Sequence, residues 1–161
     1  MTNVVTQRNV CFLMKIITLI NQFEPGGSVS VLNEPFAFKG KAEFTLDGGE
    51  TRHWIFNDEA VMLSLNPKDE ELVLFEALDE ELEPDTDIIL YQGKEYEFSY
   101  EDAGTVSHVE GEVPLDEEER YMFTDYESDA GELVRLVKND NTGEVKTYHG
   151  RVLSEDDIAS L

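Results

Sequence analysis

Two stretches of this sequence are similar, Phe38-Lys39-Gly40-Lys41-Ala42-Glu43-Phe44-Thr45-Leu46 and Tyr91-Gln92-Gly93-Lys94-Glu95-Tyr96-Glu97-Phe98-Ser99-Tyr100. With one residue inserted in the second stretch, both follow one order: aromatic, any residue, glycine, lysine, any residue, glutamate, phenylalanine, hydroxyl residue, apolar residue. Self-similarity of this kind indicates a fold built from two related units that pack on each other. The predicted units cover approximately residues 28–78 and 87–150 of a single domain over residues 1–161.

A second similarity follows downstream of each stretch. Arg52-His53-Trp54-Ile55-Phe56-Asn57-Asp58 resembles Arg120-Tyr121-Met122-Phe123-Thr124-Asp125, and an apolar alternation comes after both. If the two units share one fold, equivalent residues superpose. The pairs expected to superpose are Gly40 with Gly93, Phe44 with Phe98, and Phe56 with Phe123.

Short alternating patterns dominate the chain after residue 27. Between residues 95 and 100, aromatic residues alternate with glutamate and serine, which is typical of a strand with one face in water. Asp47-Gly48-Gly49 and residues 139–143 carry the Asn, Asp and Gly that tight hairpins require. The pattern predicts strands at residues 28–32, 36–46, 51–57, 60–65, 71–76, 87–91, 94–100, 105–113, 120–126, 133–138 and 144–149. We therefore expect a mainly β fold whose two antiparallel units form a sandwich or a partly open barrel.

The two ends of the chain differ from this β region. Apolar residues recur at helical spacing over residues 9–22, which favours a short helix, but the run is rich in β-branched residues and a strand remains open. Pro25-Gly26-Gly27 ends the element in either case. Ser154 followed by three acidic residues is typical of a helix N-cap, so we expect a C-terminal helix over residues 154–160.

The alternation also predicts which side chains form the core. Each member of the predicted set is a large apolar residue within a predicted strand. The set is Phe44, Trp54, Phe56, Leu63, Leu65, Phe98, Phe123, Leu133 and Leu136.

The composition is strongly acidic. The chain has 161 residues, a formal net charge of −24 and 40% apolar residues, which is enough to build a core. A surface so negative repels phosphate groups and anionic lipid, so we expect neither direct nucleic-acid binding nor electrostatic docking to a membrane, and the apolar run described next is too short for membrane insertion. The apolar run over residues 10–20 is too short to span a bilayer, and the single cysteine, Cys11, fits a reducing compartment. A cytoplasmic location is therefore expected.

Three short motifs resemble those of a family of bacterial domains of unknown function. They are Val109-Glu110-Gly111-Glu112-Val113-Pro114, then Asp125-Tyr126, then Tyr148 and Gly150 in an aromatic-x-glycine arrangement, with Trp54 in a strand like the family's tryptophan-bearing strand. The resemblance covers most of residues 28–153. It implies a β-rich fold and carries over no catalytic residue. Some members are encoded beside membrane-stress or channel-like genes, which implies an accessory role.

The sequence offers weak candidates for a metal site and none for catalysis. Asp125, Glu127 and Asp129 alternate before Gly131 as in a calcium loop, but Ala130 and a leucine stand where an EF-hand needs glycine and glutamate. The three histidines lack the close spacing of zinc ligands. No nucleophile elbow, P-loop or dinucleotide fingerprint is present. We therefore expect a protein without enzymatic activity or cofactor.

Two acidic clusters are the candidates for partner binding, Asp79-Glu80-Glu81 and Asp116-Glu117-Glu118-Glu119. The leading hypothesis is a non-enzymatic protein-binding, accessory or scaffold domain that acts through contact with a protein partner, for which a basic protein is one candidate. The alternative is an acidic nucleic-acid mimic that inhibits a basic protein such as a nuclease, because dense carboxylates steer toward arginine-rich grooves.

Overall fold

The computed structural model describes the backbone of residues 2–159 and the side chains of residues 11–159. The helical elements in this range are α1 (Thr2–Asn21) and a 3-10 helix (Glu155–Asp157). The strands are β1 (Ser28–Val31), β2 (Glu34–Ala37), β3 (Gly40–Leu46), β4 (Thr51–Phe56), β5 (Val61–Asn66), β6 (Glu71–Leu78), β7 (Ile88–Tyr91), β8 (Lys94–Gly111), β9 (Arg120–Glu127), β10 (Glu132–Asn139), β11 (Val145–Val152) and β12 (Ile158–Ala159). The mainly β prediction is confirmed. Most predicted strands match one observed strand, but the strand predicted over residues 36–46 is divided between β2 and β3, and those predicted over residues 94–100 and 105–113 belong to the single long strand β8.

Eight strands form a closed antiparallel barrel in the order β3-β4-β5-β6-β11-β10-β9-β8, and β8 pairs with β3 to close it. Strands β3 to β6 form one meander, and β8 to β11 form another. The first strands of the two meanders pair with each other, and so do the last strands. The barrel is thus closed, where the sequence predicted a sandwich or a partly open barrel.

Side chains that alternate along the strands fill the barrel interior. Phe44, Trp54 and Phe123 stand at its centre and are almost completely buried. The ring centroids of Phe44 and Trp54 are 4.3 Å apart, and those of Trp54 and Phe123 are 5.5 Å apart. Tilted and edge-on arrangements of this kind are favoured between aromatic rings.

A helical layer covers one outer face of the barrel. Ile16 of α1 packs with Ile55 and Leu63, which point outward from β4 and β5. Lys41 Nζ, on β3, donates to the carbonyl of Ile20 at 3.0 Å, near the end of α1, where helical carbonyls lack partners within the helix. No helix among residues 2–159 combines the length and the apolarity needed to cross a membrane.

A hairpin covers a second outer face. Strand β7 pairs with the first half of β8 through the two-residue turn Gln92-Gly93, where both residues have positive φ, as a type I′ turn requires. Ile89 and Tyr96 of this hairpin pack on Tyr126 and Val134 of β9 and β10. The hairpin therefore lies against the barrel wall.

The two chain ends match the predictions unequally. The N-terminal element is a helix, as favoured, and runs over Thr2–Asn21. The predicted C-terminal helix over residues 154–160 is wrong within the described part of that range. Ser154 Oγ lies 3.1 Å from Asp157 Oδ2 at a single 3-10 turn, after which Ile158 and Ala159 form β12 and pair with β1. Pairing with a strand distant in sequence replaces the helix that the cap indicated.

The internal duplication is not confirmed. Gly40 is buried where β3 begins, whereas Gly93 lies in an open hairpin turn. Phe44 is fully buried, whereas Phe98 is 47% exposed, so the placement of Phe98 in the core is wrong. Of the other eight residues of the predicted core set, seven are buried and Leu136 is partly buried.

Candidate functional site

The acidic clusters that were expected to bind a partner lie at one end of the barrel. Asp79, Glu80 and Glu81 directly follow β6, and residues 116–119 connect β8 to β9. We call this the acidic end, since β6 ends and β11 begins there. All these residues are exposed except Glu119, which is half-buried.

A cavity of about 320 Å³ opens at the acidic end. Residues 79–81 line it, and so does Pro114, which precedes the second cluster by two residues. Its lining includes the buried rings of Phe56 and Tyr148 and the exposed side chain of Val145. An apolar floor therefore adjoins carboxylates at the edge of one cavity.

The second cluster is presented by an ordered loop. Leu115 is buried in the barrel interior, and the backbone N–H of Asp116 donates to Tyr121 Oη at 2.9 Å. The backbone N–H of Glu118 donates to the Val106 carbonyl at 2.7 Å. Within the described range, none of the seven carboxylates of the two clusters forms an ion pair. Their charge is therefore available to a partner.

The candidate cation ligands lie near the opposite end, which we call the mouth. Asp125 points into the barrel and is buried, whereas Glu127 and Asp129 are exposed. Among the side chains that the structure describes, no three His, Cys, Asp or Glu residues are grouped in a way that could hold a metal ion. The alternation in sequence thus does not bring these three carboxylates together.

Asp125 instead pairs with a buried arginine. Arg135 donates from Nε and Nη2 to the two carboxylate oxygens of Asp125 at 2.7 and 2.9 Å, and from Nη1 to Ser64 Oγ at 2.9 Å. The guanidinium carbon lies 4.5 Å from the ring centroid of Phe75 and 4.8 Å from that of Phe123. This is a two-point ion pair stacked on aromatic rings, a geometry suited to arginine.

The mouth is a cavity of about 300 Å³ with a charged lining. Arg52 donates from Nε to Glu50 at 3.0 Å and from Nη2 to Tyr100 Oη at 3.1 Å, and Tyr100 in turn donates to Asp102. Glu71 is exposed at the edge, yet desolvation by the surrounding protein raises the pKa of its carboxyl above the ordinary value of 4.5. Convergent polar groups and a carboxyl with a shifted pKa in a cavity mark a candidate ligand site.

A third polar group lies on the outer wall. Glu132 accepts from Lys94 Nζ at 2.6 Å, lies 2.9 Å from Nε2 of His149, and lies 3.3 Å from Tyr96 Oη. The hydrogen bond from Lys94 lowers the pKa of Glu132, while burial raises the pKa of Tyr96 to about 12. Lys94 and Tyr96 belong to the β7–β8 hairpin, and Glu132 and His149 belong to the barrel. The network therefore joins the hairpin to the barrel.

A groove of about 730 Å³ runs beside this network. His149 and Glu132 have the proximity of an acid–base dyad, but none of the groove residues is a serine, cysteine or threonine that could act as a nucleophile. The other histidines lie elsewhere. His53 is buried, desolvation lowers its pKa, and its Nδ1 has no partner among the described residues, whereas His108 is exposed near Glu110.

Sequence reasoning missed both the Arg135 pair and the His149 network. A signal for Arg135 was present, because Leu133, Arg135 and Val137 share one face of a strand and the first of these was expected in the core. The His149 network carried no comparable signal, since its members come from two strands of the barrel and a hairpin that folds onto them.

Comparison with known proteins places the chain in a family. The family described as "Domain of unknown function (DUF4178)" matches residues 25–155. The chain belongs to this family. The DUF4178 match contains the whole barrel and leaves α1 outside, and it confirms the resemblance at the level of a family of unknown function. No curated protein and no solved structure matches the chain.

Proposed function

We propose that this DUF4178 domain is a non-enzymatic binding module that receives a basic segment of a protein partner at the acidic end of its barrel. The observation that carries the proposal is the cavity bordered by residues 79–81 and by Pro114, which leads into residues 116–119. The first cluster thus adjoins the apolar floor, and the second begins two residues beyond Pro114 at its edge. A lysine or arginine side chain suits this combination, because its stem packs on apolar surface while its charged end meets carboxylates.

The charge of the whole chain favours such a partner. A formal net charge of −24 accelerates the approach of basic proteins and repels anionic ones. Strand addition is a less suitable mode of binding. In β7, the edge strand beside the barrel, Ile88 already exchanges backbone hydrogen bonds with Asp85, so the strand presents a short free edge.

The nucleic-acid mimic is the less favoured function. A mimic needs carboxylates spaced like phosphates along an extended stripe, whereas these clusters lie at one barrel end, where residues 79–81 share a cavity with Phe56 and Tyr148. An accessory role in the cytoplasm, within the bacterial gene neighbourhoods that the resemblance implies, accords with a domain that binds a protein and catalyses nothing.

The test compares three variants, each of which lacks three negative charges at a different place on the surface. The first variant carries Asp79→Asn, Glu80→Gln and Glu81→Gln, and the second carries Asp116→Asn, Glu117→Gln and Glu118→Gln. Glu119 is left intact because it accepts from Asn139 Nδ2 at 2.5 Å. The control carries Glu24→Gln, Glu34→Gln and Asp156→Asn, which are exposed residues away from the cavity.

Binding of a hexa-arginine peptide is then measured by calorimetry at several salt concentrations. Non-specific electrostatic attraction between the peptide and the protein weakens equally in all three variants, because each variant loses three negative charges. A site at the acidic end weakens about threefold to tenfold more in the two cluster variants, as expected when several exposed ion pairs of about 0.2–1 kcal/mol each are lost. Equal weakening in all three variants would refute the proposal.

A further inference from the structure

We propose that the barrel mouth binds a small zwitterion of amino-acid size, whose carboxylate contacts Arg52 and whose ammonium group contacts Glu71 and Glu127. All three residues line the mouth cavity. The site is separate from the acidic end, because it lies where β6 begins and β11 ends. Binding of a ligand at the mouth therefore does not depend on a partner at the acidic end.

Arg52 supplies the anion-binding half. Its side chain is 8% exposed, so nearly all of it is buried, and its Nε and Nη2 are engaged by Glu50 and Tyr100. Its Nη1 has no hydrogen-bond partner among the described residues and is not closed off from solvent. A buried guanidinium that is fixed on one side and free on the other is a ready donor for a carboxylate.

Glu71 and Glu127 supply the cation-binding half. Neither carboxylate forms an ion pair with a residue of the described range. Glu127 also lies directly opposite Glu97 in the pairing of β9 with β8, and like charges in that position destabilise a sheet. An ammonium group at the mouth relieves this repulsion and compensates the otherwise unpaired Glu71.

The remaining charges of the mouth define its floor and limit the ligand. Arg135 and Asp125 neutralise each other in a two-point contact, and Asp69 accepts from Asn66 Nδ2 at 3.0 Å. The first pair carries no net charge, whereas Asp69 keeps its negative charge and adds to the acidic side of the site, on which the ammonium group is placed. A volume of about 300 Å³ is at the lower end of the range for ligand sites, which suits a compact molecule.

A ligand with only one charge satisfies only half of this site. A simple anion meets the free Nη1 of Arg52 but is repelled by Glu71, Glu127 and the strongly negative chain. A simple cation meets the carboxylates but leaves Nη1 without an acceptor. Opposite charges on one small molecule satisfy both halves.

The experiment uses the full chain and the free amino acids as probes. Each is added at about 10 mM, which is high enough to detect a Kd of about 1 mM, and binding is followed by NMR shifts of the Ser99 and Tyr100 amides. For alanine, the matched half-ligands are propionate and ethylamine. We expect at least one amino acid to shift these amides. If alanine binds, propionate and ethylamine should each bind at least about tenfold more weakly than alanine. Each of them lacks one of the two charged groups and so loses one charge-assisted contact.

Variants separate the two halves of the site. Glu71→Gln should weaken the amino acid about tenfold, and Arg52→Lys, which keeps the charge but removes the fork of donors, should weaken it by a similar factor. Glu144→Gln is the matched control, because Glu144 is exposed at the acidic end. The proposal is overturned if no amino acid shifts the mouth amides, if ethylamine binds as well as alanine, or if Glu71→Gln binds like Glu144→Gln.

Discussion

At the scale of single residues, Arg135 shows how this barrel tolerates a charge at its centre. The residue is 2% exposed, and Asp125 and Ser64 engage all three of its nitrogens. Taking a charge out of water costs several kcal/mol, about as much as its attraction to a well-placed partner returns. The stability of the pair therefore depends on both members being present.

The first prediction concerns the partner of this arginine. Asp125→Ala should destabilise the fold by about 3–5 kcal/mol, because it leaves a buried guanidinium without its counter-charge. The measurement is urea denaturation monitored by the fluorescence of Trp54. The double variant Asp125→Ala with Arg135→Met should recover much of the loss. Asp129→Ala, an exposed control in the neighbouring turn, should change stability by less than about 0.5 kcal/mol.

Individual side chains were predicted well wherever alternation was regular. Phe44, Trp54 and Phe123 are buried as expected. Phe98 was placed inside because it follows Tyr96 at strand spacing, but the pairing of β8 with β9 shifts register after Phe98, so the alternation does not continue through it. A bulge of this kind depends on the opposite strand and cannot be seen within one segment.

At the scale of elements, the seam between β3 and β8 closes the barrel and brings two backbones close together. Gly40 pairs with Gly111, and Gly104 pairs with Leu46. A Cβ atom on Gly104 would lie 2.5 Å from the carbonyl oxygen of Thr45, and one on Gly40 would overlap the backbone of Glu112. Neither neighbour can rotate away, as a side chain could. The seam therefore requires glycine at these positions.

The second prediction tests this seam. Gly104→Ala and Gly40→Ala should each destabilise the fold by about 1–3 kcal/mol or more, since overpacking against a backbone forces the strands apart. The midpoint of guanidinium denaturation gives the measurement. The matched control is Gly48→Ala in the β3–β4 turn, where nothing lies within 4 Å of the added atom. If Gly104→Ala behaves like Gly48→Ala, the seam tolerates a Cβ atom at position 104 and the requirement for glycine there is wrong.

The strands could be predicted because each shows a local alternation of apolar and polar residues. The structure of the C-terminal element could not be predicted in this way. Ser154 and the acids after it are a genuine helix-start signal, and the reciprocal contact between Ser154 and Asp157 does form. The helix is nevertheless cut short, because burial of Ile158 and its pairing with Val31 of β1 stabilise an extended chain. Pairing with a distant strand determines the conformation of this element, and the local sequence contains no pattern that indicates such pairing.

At the scale of the whole molecule, closure of the barrel was beyond sequence reasoning. The hairpins within each meander follow from local turns, but the pairings of β3 with β8 and of β6 with β11 join segments that are distant in sequence. The candidate sites have the same origin. The acidic clusters were recognised by composition alone, whereas the cavity beside residues 79–81 and the polar mouth exist because closure brings separate strands together.

The third prediction concerns the net charge of −24. At low salt, repulsion among the carboxylates opposes the compact state, and about 0.15 M salt shortens its range to about 8 Å. Salt also weakens ion pairs such as Lys94–Glu132 and Arg120–Asp47, but exposed pairs contribute only about 0–1 kcal/mol each. Repulsion should therefore dominate, and the melting temperature should rise from low to moderate salt, by about 2–4 °C for each kcal/mol of repulsion relieved.

The control for this prediction is the variant with Glu24→Gln, Glu34→Gln and Asp156→Asn, which lacks three negative charges and leaves both acidic clusters intact. Its melting temperature should start higher at low salt and rise less, because less repulsion remains to be screened. Calorimetry in sodium chloride and in potassium chloride separates screening from effects of one particular cation. A melting temperature that falls with added salt would mean that the ion pairs outweigh the repulsion. The acidic surface would then be a stabilising network, and its availability to a basic partner would be reduced accordingly.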